Sequence, residues 1–478
     1  MKRLIVILMV CGAWCTPALA QRASITDTAV HIPSRNEVLR VILLRDYNTR
    51  VVVIGTMLLG LAAGTIGSFM LLRKRALMGD ALSHATLPGI GIAFILATAM
   101  GRDAKSLPVL LTGAVVTGVI GMLCVLVLRN VTRLKEDAAL GIVLSVFFGA
   151  GVAVLGVIQK MGTGSAAGLE SFIYGKTASM LASDAKLIGA VAAIVAVLCA
   201  LLYKEFKLIC FDSDFARAEG WPTLTLDLIM MSMVVAVTVI GLQAVGLILI
   251  IALLITPPAA ARFWTERFSH MIFISAVIGA VSGLFGAMLS ALVPRLPAGA
   301  IIVVVAATVF LISMMLGPAR GVLVRLRQHA TLSRRIKRQH LLRAIFEWAE
   351  ERDVDPTKVG APLDVIQRER SWSVTQLHRV LSAAERADLV VEQSDGTWRF
   401  TADGLSDAAR TVRNHRLWET YLINYADIAP SHVDRDADQI EHVLGKPMVE
   451  QLEALLNKQH QVPAVPRSPH LIRETRAT

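Results

Sequence analysis

The feature that most constrains this chain is a succession of apolar stretches filling residues 51–317. Crossing about 30 Å of hydrocarbon takes roughly 20 apolar residues in a helix. Stretches at 51–72, 79–100, 107–128, 138–158, 182–203, 225–241, 244–263, 271–293 and 299–317 meet or approach that length. Lipid offers no partner for backbone N–H and C=O groups, so apolar runs of this length span as helices. Only "GLQAVG" (241–246) separates 225–241 from 244–263. It is not a polar loop, so a break inside the membrane is as compatible as a turn outside it, and eight spans as compatible as nine. Gly and Ala recur within the stretches ("GLAAGTIGSF", "GAVSGLFGAML"). Small residues let membrane helices pack backbone to backbone, so the expected fold is an all-α polytopic bundle.

Charge orients the bundle. The chain is 54% hydrophobic and only 18% charged, against about 25% charged in soluble domains. The net charge of +11 sits largely in short runs flanking the apolar stretches, so the positive-inside bias of membrane proteins accounts for most of it without nucleic acid. "RKR" (73–75), "RNVTRLK" (129–135), "YKEFK" (203–207), "RFWTER" (262–267) and "RGVLVRLR" (320–327) are expected on the cytoplasmic side. Nine spans then leave residue 50 outside and the C-terminal tail inside. The start, "MKRLIVILMVCGAWCTPALAQ", has a basic opening, a short apolar core and Ala-Leu-Ala before Gln21. That pattern fits a signal peptide over residues 1–20, followed by a periplasmic segment, 21–50. The expected location is the bacterial inner membrane. Five cysteines show no metal-knuckle spacing, and Cys124 and Cys199 sit in apolar runs as small hydrophobes.

Past Pro318 the composition becomes that of a globular domain. Residues 320–343 hold eight Lys or Arg and no acid, and 319–337 reads as a basic linker. "HLLRAIFEWAEE" follows as an amphipathic helix. "SWSVTQLHRVLSAAERADLV" (371–390) has the pattern of a helix-turn-helix, with Leu377, Val380 and Leu381 facing a core. "VVEQSDGTWRFTADG" (390–404) alternates and turns at Asp395-Gly396, as a two-stranded wing would. Residues 338–404 thus read as a winged helix, 405–457 as a two-helix segment (405–425 and 432–457), and the Pro-rich 458–478 as a disordered tail.

Two polar residues stand out in the membrane half. "MGDALSHATLPG" (78–89) places Asp80 and His84 at i and i+4, on one helical face at the mouth of a span. Ionisable groups in a span are costly and mark functional sites. A carboxylate beside a neutral imidazole suits a divalent first-row metal; helix capping by Asp80 and simple packing of His84 is the bland alternative. Two other segments are unusual: "GTGSAAGLESFIYGKTASM" (162–180), semi-apolar and suited to dip back into the membrane, and "KLICFDSDFARAEGWP" (207–222), an amphipathic loop between spans able to dock a soluble partner.

These segments resemble the metal-ion family of ABC-transporter permeases. The stretch "RKRALMGDALSHATLPGIGIAF" (73–94), "FKLICFDSDFARAEGWP" (206–222) and "GLQAVGLILIIALLITPPAAAR" (241–262) match that family in order, over roughly residues 45–325. The resemblance implies import of manganese, zinc or iron, delivered by a periplasmic binding protein and conducted by a permease dimer, homo- or heteromeric. It implies that Asp80 and His84 handle the metal, and that Phe211, Asp212, Ala216 and Gly220 lie in the segment a separate ATPase engages. The chain itself has no "GxxxxGK[ST]" loop to cradle phosphates, so it is not expected to be an enzyme.

The tail resembles the DtxR-like metal-dependent repressors from about His340 to Leu456, through its helix-turn-helix, "RNHRLWETYL" (413–422) and "DADQIEHVLG" (436–445). The resemblance implies metal ligands at His340, His415, Glu419, Asp438, Glu441 and His442, an N/O set favouring Mn(II) or Fe(II). One position departs: Arg343 stands where the family offers a ligand, and a guanidinium cannot bind a cation. Arg368, Arg370, His378, Arg379 and Arg386 offer contacts to phosphate, but the charge of the tail is otherwise near balance, so its basic footprint is weak. The combined expectation is a metal-importing permease subunit with no permanently bound cofactor. Its cytoplasmic domain is expected to sense metal and regulate transport. A membrane-tethered, metal-dependent transcriptional regulator is the alternative.

Overall fold

The structure is a computed structural model describing residues 34–75, 77–101, 106–161, 177–293, 297–369 and 372–425. The expected signal peptide, the segment 162–176, Asp438, Glu441, His442 and the Pro-rich end lie outside them. The chain divides into two compact units, Met1–Val324 and Arg325–Thr478.

The first unit is helical throughout its described residues. Its elements are α1 (Arg35–Ile42), α2 (Tyr47–Leu72), α3 (Met78–Ala99), α4 (Leu107–Val131), α5 (Glu136–Lys160), α6 (Ala182–Leu201), α7 (Tyr203–Phe211), α8 (Ser213–Ala218), α9 (Thr223–Val245), α10 (Leu247–Ala261), α11 (Phe268–Leu292) and α12 (Ala298–Leu316). Eight of these are long and apolar enough to cross a bilayer. Within the described part of the polar 21–50 segment lies α1, which its composition did not announce. A capping box opens α1: Ser34 Oγ accepts from the Glu37 N–H, and Glu37 Oε2 accepts from the Ser34 N–H.

The ambiguity at "GLQAVG" resolves into a break at Gly246, whose φ of 87° ends α9 and opens α10. Only glycine takes that conformation without a steric penalty. The 15 residues of α10 span about 22 Å, short of a full crossing. Even so, α10 runs from the end where Gly299 meets Val245 to the end where Phe263 O accepts from Ala319 N–H. It carries the chain back between these two ends as a shorter apolar helix.

Bare backbone contact explains the small residues. A Cβ placed on Gly60 would lie 2.1 Å from the Gly279 carbonyl oxygen, and one on Gly89 would lie 2.1 Å from that of Gly113. These contacts join α2 to α11 and α3 to α4. Hydroxyls cross the same seam: Ser275 Oγ donates to Gly64 O at 2.7 Å and Thr56 Oγ1 to Gly283 O at 3.1 Å. Burial is graded accordingly. The most apolar stretch of α2 is 78% buried, whereas those of α5 and α12 are 17% buried. The outer faces of α5 and α6 present Val146, Val152, Ile194 and Val197, a surface suited to lipid or to another membrane helix.

All five basic runs gather at one end. Arg73, Arg75 and Arg129 meet there. Phe211 and Tyr203 pack on the Phe268 ring. Arg320 forms a bidentate pair with Glu266 at 2.7 Å for each bond.

The second unit opens with α13 (Val322–Glu351), which is helical from three residues before its boundary. From Val322 onward the basic run 319–337 is continuous helix with the amphipathic segment. The helices α14 (Leu363–Glu369) and α15 (Val374–Glu385), the antiparallel hairpin β1 (Val390–Glu392) and β2 (Trp398–Phe400), and α16 (Ala402–Tyr425) follow. Ser373 caps α15, its Oγ accepting from the Gln376 N–H. The hairpin turns at Asp395-Gly396 as the alternation indicated, with Gly396 at φ 79°. Leu377 and Leu381 are fully buried with Leu341, Ile345, Trp348, Trp398 and Phe400, and Val380 packs against them.

Candidate functional site

Asp80 lies in the first turn of α3, and His84 one turn on. His84 Nε2 stands 3.4 Å from Asp80 Oδ1, with both side chains partly accessible. The Phe148 ring of α5 meets the imidazole edge to face at 4.9 Å. Neighbouring polar side chains satisfy themselves within the helix: Ser83 Oγ donates to Gly79 O, and Thr86 Oγ1 to Ser83 O. His84 does not, since its Nδ1 is buried with no hydrogen-bond partner among the described residues. A buried, unsatisfied ring nitrogen beside a carboxylate has the donor chemistry of a cation site, and leaving it unmet is costly. Pro88 stands four residues after His84 inside the helix and carries no N–H. The His84 carbonyl therefore loses its usual helical donor. Among the described residues no cluster of three or more His, Cys, Asp or Glu gathers as a complete metal cage.

Segment 203–220 folds into the two short helices α7 and α8 between α6 and α9. Asp212 is their pivot: it caps α8, its Oδ1 accepting from the Phe215 N–H at 2.9 Å. Ala216 is fully buried beneath, while Phe211, Phe215 and Trp221 are exposed large apolar side chains. Gly220 turns the chain at φ 81°, and the Trp221 N–H returns to Ala216 O. The result is a compact knob with an apolar outer face, anchored by the Phe211–Phe268 ring contact. Burial raises the Cys210 thiol to about 12, which leaves it protonated and inert at neutral pH.

Residue reasoning missed an ionic cluster beside that knob. Asp227, near the start of α9 and 5% exposed at its side chain, accepts from Arg73 at 2.7 Å, Arg75 at 2.6 Å and Arg129 at 3.2 Å. Arg75 and Arg129 also pair with Glu136. "RKR" reads in sequence only as a cytoplasmic-side basic run; Arg75 is among the most buried side chains of the described residues. The signal was available, because Asp227 is the one acid within the apolar stretch of α9.

In the second unit, His415 Nε2 lies 3.3 Å from Glu419 Oε1, both almost wholly buried on α16. His340 is half-buried on α13. Arg343, in the place of a ligand, instead donates to Glu347 at 2.7 Å. Arg416 forks onto Glu350 across α16 and α13. The remaining expected ligands lie outside the described residues. A cleft of about 1030 Å³ between α13 and α15 is lined by Arg334, Arg335, Lys337, Arg338, Arg379 and Arg386.

Residues 45–317 match the ABC 3 transport family, and residues 401–470 match the iron dependent repressor, metal binding and dimerisation domain. The chain belongs to the ABC 3 transport family. It is 38% identical over 393 residues to the manganese transport system membrane protein MntC of Bacillus subtilis, covering 82% of this chain and 88% of that protein. That alignment is longer than the permease match alone. The zinc transport system membrane protein TroC of Treponema pallidum is 43% identical over 284 residues, 59% of this chain and 94% of TroC. The solved structure of PsaBC from Streptococcus pneumoniae in complex with Fab aligns with a TM-score of 0.51 at 30% identity, covering 59% of this chain and 97% of that one. This ABC permease is thus a multi-pass membrane protein carrying a repressor-type helical domain at its C-terminal end.

Proposed function

We propose that the chain is the membrane-spanning subunit of an ABC importer for a divalent transition metal, with manganese or iron favoured and zinc possible. The observation that carries this reading is the Asp80–His84 pair, whose buried Nδ1 lacks a hydrogen-bond partner among the described residues. Mixed N/O donors suit these ions, and the relatives are named for manganese and zinc transport. The end at which the basic runs gather is the cytoplasmic one by the positive-inside bias. The N-terminal segment is then periplasmic, behind a signal peptide over residues 1–20, and the tail is cytoplasmic. ATP hydrolysis belongs to a separate subunit, which seats on the apolar knob of Phe211 and Phe215, with Asp212, Ala216 and Gly220 shaping it. A periplasmic binding protein delivers the metal, and a second permease subunit completes the dimer.

The tail senses the imported ion. His415 and Glu419 have the burial and donor types to hold it, with His340, Asp438, Glu441 and His442 as the further candidates. A bound divalent ion supplies a charge-dependent bridge between side chains that otherwise repel or pair weakly. Occupancy of the tail biases the permease toward an inactive arrangement, a negative feedback. The basic cleft beside α15 favours a second reading, a membrane-tethered winged-helix regulator of DNA. Metal uptake in cells carrying Asp80→Ala/His84→Ala separates the two. The transport reading expects uptake to collapse while membrane insertion stays normal; the regulator reading expects uptake unchanged and metal-dependent retardation of DNA by the full chain.

A further inference from the structure

The ionic cluster at Asp227 is not explained by packing alone. It draws Arg73 from the end of α2, Arg75 from the turn into α3, Arg129 from the end of α4 and Glu136 from the start of α5 onto one buried carboxylate of α9. Lys74 sits between the two arginines in the left-handed region, φ 59°, so the turn is bent to bring both flanking guanidinium groups to the same acid. Its member Arg75 lies five residues before Asp80, in the turn that leads into α3, at the end of the bundle where the metal pair sits. It also shares a cleft of about 270 Å³ with Ile209, Cys210, Phe211 and Ser213 of the docking knob. Three guanidinium groups face two carboxylates, so the cluster carries a surplus positive charge. In a site of low dielectric such a surplus repels a divalent cation strongly.

We infer that Asp227 closes the cytoplasmic exit of the permease: it is a positioning residue that holds Arg73, Arg75 and Arg129 across the path of the cation, and ATP binding by the ATPase seated on the adjoining knob releases them. The inference rests on the permease reading above. A closed exit keeps metal from leaking when ATP is absent, and the shared cleft gives the docking partner direct access to the arginines. The neutral isostere Asp227→Asn keeps the volume and removes the charge that holds the three arms together. Asp227→Glu keeps the charge.

The test uses the full chain with its ATPase and periplasmic binding protein in lipid vesicles, following manganese flux with and without ATP. Asp227→Asn is expected to raise ATP-independent flux by about tenfold or more, as loss of even a small barrier does, while Asp227→Glu stays tight. Arg129→Gln, which removes one partly accessible arm, is expected to leak less, and it serves as the deciding variant if Asp227→Asn does not insert. Either variant remaining tight without ATP, with ATP-driven flux as in the parent, overturns the gate. Failure of the parent complex to move manganese under ATP would instead contradict the permease reading, so the two failures are distinguishable.

Discussion

His84 is informative because its surroundings leave it incomplete. Ser83 and Thr86 on either side bond back to their own helix, and Thr117 reaches the Thr86 carbonyl. Unlike these hydroxyls, the imidazole retains a buried nitrogen, Nδ1, without a hydrogen-bond partner among the described residues. The opposite holds at Arg416, 1% exposed, whose fork onto Glu350 ties α16 to α13. Removing one partner of a buried ion pair leaves a charge in a poor solvent. Glu350 is itself about a third accessible, so Glu350→Gln is expected to destabilise the second unit by roughly 2–3 kcal/mol, less than a fully buried pair would lose, read as a shift of its denaturation midpoint. A milder case is Asp395. The Thr397 hydroxyl, then its backbone N–H, both donate to the Asp395 carboxylate and hold it below its ordinary pKa. Its contribution to stability is present above the ordinary carboxylate range and is lost as pH falls through the lowered value. NMR titration should place Asp395 below a free aspartate, and Thr397→Val should move it back up.

At the scale of elements, the bundle is built on contacts that have no room for a side chain. Gly60 against Gly279 and Gly89 against Gly113 let α2 meet α11 and α3 meet α4 carbonyl to backbone. Gly279→Val forces the helices apart, and overpacking of this kind costs about 1–3 kcal/mol or more. The expected outcome is loss of folded permease, seen as a lower yield of monodisperse protein in detergent, while Gly141→Val, where a Cβ meets nothing within 4 Å, is tolerated. These elements were legible in the sequence because length and hydropathy report the solvent each helix sees. The break at 241–246 was half-legible: the apolar loop announced it, but only the positive φ of Gly246 shows that the chain turns there and returns through a short helix. The ionic cluster was not read, because a basic triplet flanking a span has the same composition whether it faces water or a buried aspartate 154 residues away. Helix α1 was missed for a related reason, since an isolated eight-residue polar helix leaves little signal beyond its capping box.

At the scale of the whole molecule, two solvents and two families meet in one polypeptide. The permease region and the repressor-type domain were each legible through ordered motifs, and the matches at residues 45–317 and 401–470 agree with them. The tail's ligand set was legible only as a resemblance; the structure brings His415 and Glu419 together, while Arg343 pairs with Glu347. If the tail restrains transport when metal is abundant, deleting residues 330–478 should raise metal accumulation several-fold at high external manganese and leave it unchanged when manganese is scarce. Accumulation equal to the parent at both levels removes the feedback.

On the proposed function, a divalent metal passes the Asp80–His84 pair under the drive of a separate ATPase. ATP-dependent manganese uptake, in vesicles holding the full chain with its ATPase and binding protein, tests it most directly. Saturable uptake is expected in the parent, and a fall to background in Asp80→Ala/His84→Ala, with insertion and ATPase binding intact. Undiminished uptake in that double variant would contradict it.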